Sequence, residues 1–351
     1  MQSKVFTKCH CFAVKGKGTK SEWKKQQSGI RQGCPLSPYL FVIVMTVIFR
    51  DVHDNLNLDR GMLDGLSFTE LLYADDTALI TNNVNAMNRL LAKVEKCAKY
   101  HGLSFNKTKC VSINFHCQEK TKYADKTKVP TADETMYLGA NINKTVNSRK
   151  EMNTRISQCV VIGKKLQMFW NNPNCPTKFK LHVYDAVIRS KLVYGLNSTE
   201  LSVGAISHLN AFQLKGLRRI LKMKTTFVER SNSNQKVFAA ANAIKNPKRE
   251  EGKDIVTFSS FLHKQANQLL AHTIRAEEGD PLKECTFNNG TVNPYTIQQR
   301  RVGRPKNNWT YSTYERLIGK NVPIIKDVWK MSPQVYITNI RPSVLNRTCK
   351  T

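Results

Sequence analysis

Acid is what this sequence lacks. Among 351 residues, 26 Asp and Glu stand against 55 Lys and Arg, a formal charge of +29, and no aspartate occurs before Asp51. A field of that sign attracts polyanions, nucleic acid first and an anionic membrane second. Charge that merely keeps a chain soluble remains the bland alternative. Long apolar runs are missing too. The longest, "YLFVIVMTVIF" (39–49), has eleven residues, whereas a membrane-spanning helix needs about twenty. The opening "MQSKVFTKCHCF" has no apolar core with a cleavage site, so no secretory signal is read. The ten cysteines follow no regular framework, which argues against a disulfide scaffold and for free thiols in a reducing, intracellular compartment. Cys9-His10-Cys11 lacks a second ligand pair at a zinc spacing, so no zinc is expected there. No segment repeats.

What is present is an ordinary apolar and aromatic content, 40% and 9%, and length enough for two or three buried cores. Residues 4–15 alternate and are rich in β-formers, so they predict a strand, turned at "GKG" (16–18) toward a second near Trp23. Ser37-Pro38 is a helix start, Ser as a cap and Pro in the first turn, and predicts a buried helix over about 38–55. In "TELLYADDTALIT" (69–81), apolar residues flank Ala74-Asp75-Asp76, which predicts strand, tight acidic turn, strand. A helix over about 84–101 follows, with Met87, Leu90, Leu91, Val94 and Ala98 on one face and Gly102 ending it. Residues 103–115 and 135–142 predict further strands.

From about 148 the period becomes helical. Three stripes are read: Ile156, Val160, Gly163 and Leu166; Phe179, Val183, Val187 and Ser190; Ile206, Leu209, Phe212 and Leu217. "ERSNSNQ" (229–235) looks like a linker, and helices near 235–245 and 254–277 precede a stop at "GDP" (279–281). The fold class is α+β. Residues 1–145 form an antiparallel sheet with helices, 146–228 an all-α domain, and 229–351 a basic helical C-terminal region.

Asp75 and Asp76 raise the chemical question. Asp-Asp in a hairpin is more often a solvated turn than a metal site. Two carboxylates on one turn cannot relax apart, however, and a hard divalent cation such as Mg²⁺ relieves their repulsion. Two such ions about 4 Å apart would activate a hydroxyl and steady a leaving pyrophosphate, and bridging them needs a third carboxylate from another strand.

"GIRQGCPLSPYLF", "LLYADDTALIT", "GLSFNKTKC" and "MYLGANI", in that order, resemble the later motifs of reverse transcriptases, above all those of non-LTR (LINE-type) retrotransposons. The resemblance covers about residues 1–225, and it implies a polymerase palm followed by a thumb. It maps Gly29, Arg31, Gln32, Gly33, Pro35, Ser37 and Pro38 onto the motif that shapes the nucleotide and template pocket. Asp75 and Asp76 then match the metal-binding aspartates, preceded by Tyr73 and Ala74, with two Mg²⁺ ions in an intact member. Asn106 and Lys109 match the motif whose lysine lies near the triphosphate, where it would assist pyrophosphate departure. An exposed strand lysine is the plain alternative. Cys110 stands where Thr or Ser is usual, and Tyr137-Leu138-Gly139 resembles the hairpin that grips the primer end.

The resemblance also implies partners: an RNA template, a DNA primer or hybrid, deoxynucleoside triphosphates, and a nuclear or cytoplasmic ribonucleoprotein setting. Helical Lys215, Arg218, Arg219 and Lys222 would follow duplex phosphates, unless they form a merely solvated face. Arg300, Arg301, Arg304 and Lys306 in "RRVGRPKNNW" would add sequence-independent contacts. His263 and His272 are nine apart and read as surface residues rather than ligands. One departure matters most. The family's first palm aspartate precedes the Gly-Arg-Gln-Gly block, and here the only acid before Gly29 is Glu22, beside Trp23. An N-terminally truncated polymerase, inactive or reduced to nucleic-acid binding, is therefore expected. Loss of that strand would expose a sheet edge and uncover the core, which could also leave the product without a stable fold.

Overall fold

The computed structural model describes residues 11–13, 15–16, 18–25, 29, 33–54, 61–145, 147–287 and 309–318. They fall into two units. The first comprises Met1–Gly61, Glu70–Cys110 and Lys120–Val129, and the second Met62–Thr69, Val111–Glu119 and Pro130–Thr351.

In the first unit, β1 (Cys11–Phe12) pairs with β4 (Lys24–Lys25), and β2 (Lys15–Gly16) with β3 (Thr19–Lys20), both antiparallel. Helix α1 (Ser37–Asp54) begins at the Ser-Pro signal, with Pro in its first turn. Hairpin β5 (Glu70–Tyr73) and β6 (Asp76–Leu79) follows, then α2 (Val84–Tyr100), capped by the Asn83 side chain on the Ala86 N–H. Ile48, Phe49 and Val52 of α1 meet Leu90 and Val94 of α2, and Leu79, Cys97, Leu103 and Phe105 close the cluster. Ala86 is buried in α2, whereas the expected Met87 lies half-buried at the margin. Only one side of α1 is covered: Tyr39, Val42 and Ile43, a helical i, i+3, i+4 set, stay more than half exposed.

No strand forms over 103–115 among the described residues. Asn106 explains this: its side-chain oxygen accepts from the Thr108 N–H and hydroxyl, and its carbonyl accepts from Lys109 and Cys110. A local turn of this kind satisfies the backbone without a ladder. Only Ser112 keeps a bridge, to Thr131.

The second unit opens with a hairpin where one strand was expected. Strand β7 (Glu134–Tyr137) pairs with β8 (Ala140–Asn143) across a two-residue turn. Leu138 and Gly139 there have φ of 46° and 75°, the two left-handed residues that such a tight turn demands. Among the described residues nine α-helical segments follow: α3 (Ser148–Lys165), α4 (Gln167–Asn171), α5 (Thr177–Val183), α6 (Ser190–Val193), α7 (Val203–Leu221), α8 (Asn234–Lys245), α9 (Phe258–Arg275), α10 (Pro281–Thr286) and α11 (Trp309–Ile318). A π-helical turn, Tyr184–Arg189, joins α5 to α6.

One core cluster in this unit runs from Met152 to Leu262, so the Ser/Asn stretch at 229–235 lies within its span, and Asn232 there is buried. Two expected stripes are rotated. On α3 the buried residues are Glu151, Met152, Arg155, Ile156 and Cys159, and Val160 is 41% exposed. Over 177–193 the core takes Leu181, Tyr184, Ile188 and Leu192, while Phe179, Val187 and Ser190 face solvent. The wider π-turn changes the residue count per turn, and the bulkier stripe wins. On α7 Leu209 and Leu217 are buried and Ile206 and Phe212 pack at the edge. No helix among the described residues is long and apolar enough to cross a membrane.

Candidate active site

The aspartates sit at the tip of the β5–β6 hairpin. Leu71 faces Ala78, Leu72 faces Thr77 and Tyr73 faces Asp76, which leaves Ala74 and Asp75 as the turn. Ala74 has φ of 53°, a positive value of the kind that two-residue hairpins use. Asp75 and Asp76 are both exposed, and Tyr73 beside them is 64% exposed. Below the tip, the His53 Nε2 of α1 lies 2.6 Å from Glu70 Oε1, and Leu79 packs into the α1–α2 cluster. The hairpin is therefore anchored at its base and open at its end.

Two hard carboxylates suit Mg²⁺ in their chemistry. Among the described residues, though, no group of three or more His, Cys, Asp and Glu could hold a metal ion. Glu22 is described and exposed, and it does not join the aspartates.

Of the pocket-shaping block, Ser37 is buried at the first position of α1, with its N–H donating to the Cys34 carbonyl. Gly29 and Gly33 have φ of 80° and 87°. Arg31 and Gln32 lie outside the described residues. Lys109 is exposed and makes no ion pair among the described residues. The lysine this region does hold is Lys107, 2.6 Å from Asp125 and over the Tyr123 ring. Tyr123 is buried, and burial pushes its hydroxyl well above the usual tyrosine range. Asn106 builds the preceding turn, its side-chain oxygen accepting from Thr108.

In the second unit the β7–β8 turn is gripped from behind. Arg155 Nη2 donates to the Gly139 carbonyl, and Tyr194 Oη donates to the Leu138 carbonyl at 2.8 Å. Arg155 is itself 2.7 Å from Glu151 and lies over the Tyr194 ring. Sequence reasoning named Tyr137 and Gly139 and missed Glu151, Arg155 and Tyr194. The readable signal was an i, i+4 Glu-Arg pair falling on the same helical face as Met152, Ile156 and Cys159. A cleft of about 580 Å³ runs beside the hairpin, lined by Tyr137, Leu138, Arg189, Tyr194, Phe261 and Gln265.

The basic residues of α7 divide. Lys215, Arg219 and Lys222 are exposed. Arg218 is not free for phosphate: its Nη2 donates to the Asn232 carbonyl and to Asn234 Oδ1. Arg300, Arg301, Arg304 and Lys306 lie outside the described residues, as do Cys9 and His10. His263 and His272 share α9, and burial holds the half-buried His263 below its ordinary pKa, aided by Arg316.

Residues 2–142 match the reverse transcriptase (RNA-dependent DNA polymerase) family. A Pol polyprotein of the type-2 retrotransposable element R2DM of Drosophila melanogaster is 27% identical over 224 residues. That alignment covers 60% of this chain and 20% of the relative. The corresponding R2 polyprotein of Nasonia vitripennis is 28% identical over 139 residues, 36% of this chain and 13% of its own length. Residues 2–142 are thus similar to reverse transcriptase sequence of the non-LTR type. A transposon-derived protein of Caenorhabditis elegans is similar over more of the chain, 23% identical over 260 residues, 71% of this chain and 85% of that protein. The chain thus spans a fifth or less of the two polyproteins. The reverse transcriptase reading accounts for the acidic hairpin of β5–β6, the helix pair behind it, and the second hairpin at 134–143 as parts of a palm, with a helical region after it.

Proposed function

We propose that residues 1–351 bind a primer–template hybrid, an RNA template with a DNA primer, and do not polymerise by themselves. One observation carries this reading. Asp75 and Asp76 stand at a hairpin tip with no third metal-binding partner among the described residues. A pair of carboxylates from one turn holds Mg²⁺ weakly and leaves the in-line transfer of a nucleotide without its bridged ions. In a polymerase that supplies the third carboxylate, Mg²⁺ at Asp75 and Asp76 would provide the charge and the activated hydroxyl. Arg31 and Gln32 would shape the nucleotide site, and Lys109 would donate to the departing pyrophosphate of a deoxynucleoside triphosphate. Binding needs none of that chemistry.

The formal +29 supports hybrid binding, and so do exposed Lys215 and Arg219, an i, i+4 pair on α7, with Lys222 exposed at its C-cap. The tail arginines 300, 301 and 304 with Lys306 would add contacts of the same kind. A nuclear or ribonucleoprotein setting goes with this reading.

The test pairs binding with extension. Purified 1–351 is titrated onto a labelled RNA–DNA hybrid across salt, then supplied with deoxynucleotides and Mg²⁺ or Mn²⁺, with Asp75→Asn as control. Phosphate contacts from Lys215, Arg219 and Lys222 should contribute about −3 to the log–log salt slope, a share lost in a Lys215/Arg219/Lys222→Glu variant. The expected result is salt-dependent binding without extension. Extension that vanishes in Asp75→Asn would overturn the inactivity and point to a further carboxylate. No binding at low salt would overturn the proposal as a whole.

A further inference from the structure

Phe227 is 97% exposed, and Val228 beside it 64%. A ring so placed in a floppy linker would mean little, but this loop is built. Lys222 closes α7 in a left-handed conformation, φ 55°. The Val228 and Glu229 N–H groups donate to the Thr225 carbonyl at 3.0 and 2.9 Å. Asn232, 4% exposed, sends its side-chain amide to the Lys224 carbonyl, and its own carbonyl accepts from Arg218. The backbone on both sides of Phe227 is thus tied down, and the ordering cost of presenting the ring is already met within the fold.

Cations outnumber acids four to one along residues 222–236. Lys222, Lys224, Arg230 and Lys236 are exposed on the loop and at the start of α8, next to Lys215 and Arg219 of α7, and none has an ion pair among the described residues. The single acid, Glu229, is exposed and accepts from Ser231 Oγ and Asn232 Nδ2. An exposed aromatic held rigidly among unpaired cations is the pattern of a base-stacking platform, in which the ring takes a base face and the cations take phosphates. A duplex hides its base faces in the stack, so the partner must offer an unpaired base.

We infer that the 222–236 loop is a docking site for single-stranded nucleic acid, with Phe227 stacking on one unpaired base. This deepens the nucleic-acid reading above and rests on it. Stacking distinguishes it from the α7 ridge, which needs phosphates alone.

The experiment compares the full chain with Phe227→Ala and Phe227→Trp on labelled dT20, rU20 and a blunt 20-bp duplex. Because the side chain is exposed, the variants should melt as the parent does. Phe227→Ala should weaken both single strands roughly 5- to 100-fold while leaving the duplex and the salt slope unchanged. Phe227→Trp should restore affinity, and its added fluorescence should quench on strand addition. Loss on only one of dT20 and rU20 would assign the site to DNA or RNA within the same inference. Equal affinity of parent and Phe227→Ala for both strands, with binding intact, would overturn the inference but not the hybrid reading. Phe227-dependent binding to phosphatidylserine vesicles, with no effect on either strand, would also overturn it in favour of a membrane surface. A parent chain that binds no nucleic acid would sink both.

Discussion

Arg155 donates through Nη2 to the carbonyl of Gly139, joining the interior of α3 to the turn of the β7–β8 hairpin. The arginine is 2% exposed and its Nε is 2.7 Å from the Glu151 carboxylate. A buried charge that touches both a carboxylate and a turn positions that turn as well as helping to hold the helix. The hairpin expected to face a primer end is therefore set by residues on a helix that follows it.

Arg155→Ala should cost about 3–5 kcal/mol in urea unfolding, since it leaves Glu151 buried without its partner. Replacing both members, Glu151→Met with Arg155→Met, should cost much less, because no unpaired charge remains. A single mutant as stable as the double would show that the pair is not desolvated.

Gly216 sits on α7 against Tyr184, and a Cβ at 216 would overlap the tyrosine ring. Tyr184 is 6% exposed and stacks on Phe258, so it has nowhere to move. An alanine in a helix normally gains up to about 1 kcal/mol over glycine. Here Gly216→Ala should instead lose about 1–3 kcal/mol through overpacking, visible as a lower midpoint in thermal unfolding. A gain in stability would mean that the α7–Tyr184 contact is loose.

Asp125 gives the first unit an acid limb. Its carboxyl is held at about 2, below an ordinary 3.8, first by the hydrogen bond from Lys107 and then by those from Thr127. A carboxyl depressed by folding stabilises the folded state above its unfolded pKa, and that contribution disappears as pH falls through the folded value. The loss therefore falls between about pH 4 and pH 2. Asp125→Asn should flatten the melting temperature across that window and lower it at neutral pH by the same small amount, small because the pair faces solvent. An unaltered acid limb in Asp125→Asn would remove Asp125 from this role.

Much of the local structure was legible. Ser37-Pro38 marks the start of α1 because a hydroxyl and a proline ring suit an open helix end wherever it occurs. Ala-Asp-Asp between the short apolar runs Leu71-Leu72-Tyr73 and Ala78-Leu79-Ile80 marks a hairpin because strands of that pattern need a tight polar turn. Leu209 and Leu217 mark the buried side of α7 for the same reason of local period. The failures share one cause. At 103–115 the β-formers were real, but Asn106 satisfied its own neighbours first and no ladder formed. Over 177–193 two apolar stripes compete, and only packing against α7 and α9 chooses Leu181, Tyr184, Ile188 and Leu192 over Phe179 and Val187.

The sequence by itself determined the acidic hairpin, its place in the order of motifs, and the cationic balance, because each depends on residue type and short spacing alone. Tertiary structure decided which charged residues are available. Arg218 and Arg219 are neighbours in sequence, yet one ties down a loop and the other faces water. Glu151 and Arg155 are interior, and Phe227 stands exposed on a hydrogen-bonded loop. Burial and hydrogen bonding from distant segments set these outcomes, and a charge or a ring acts only where the fold leaves it exposed.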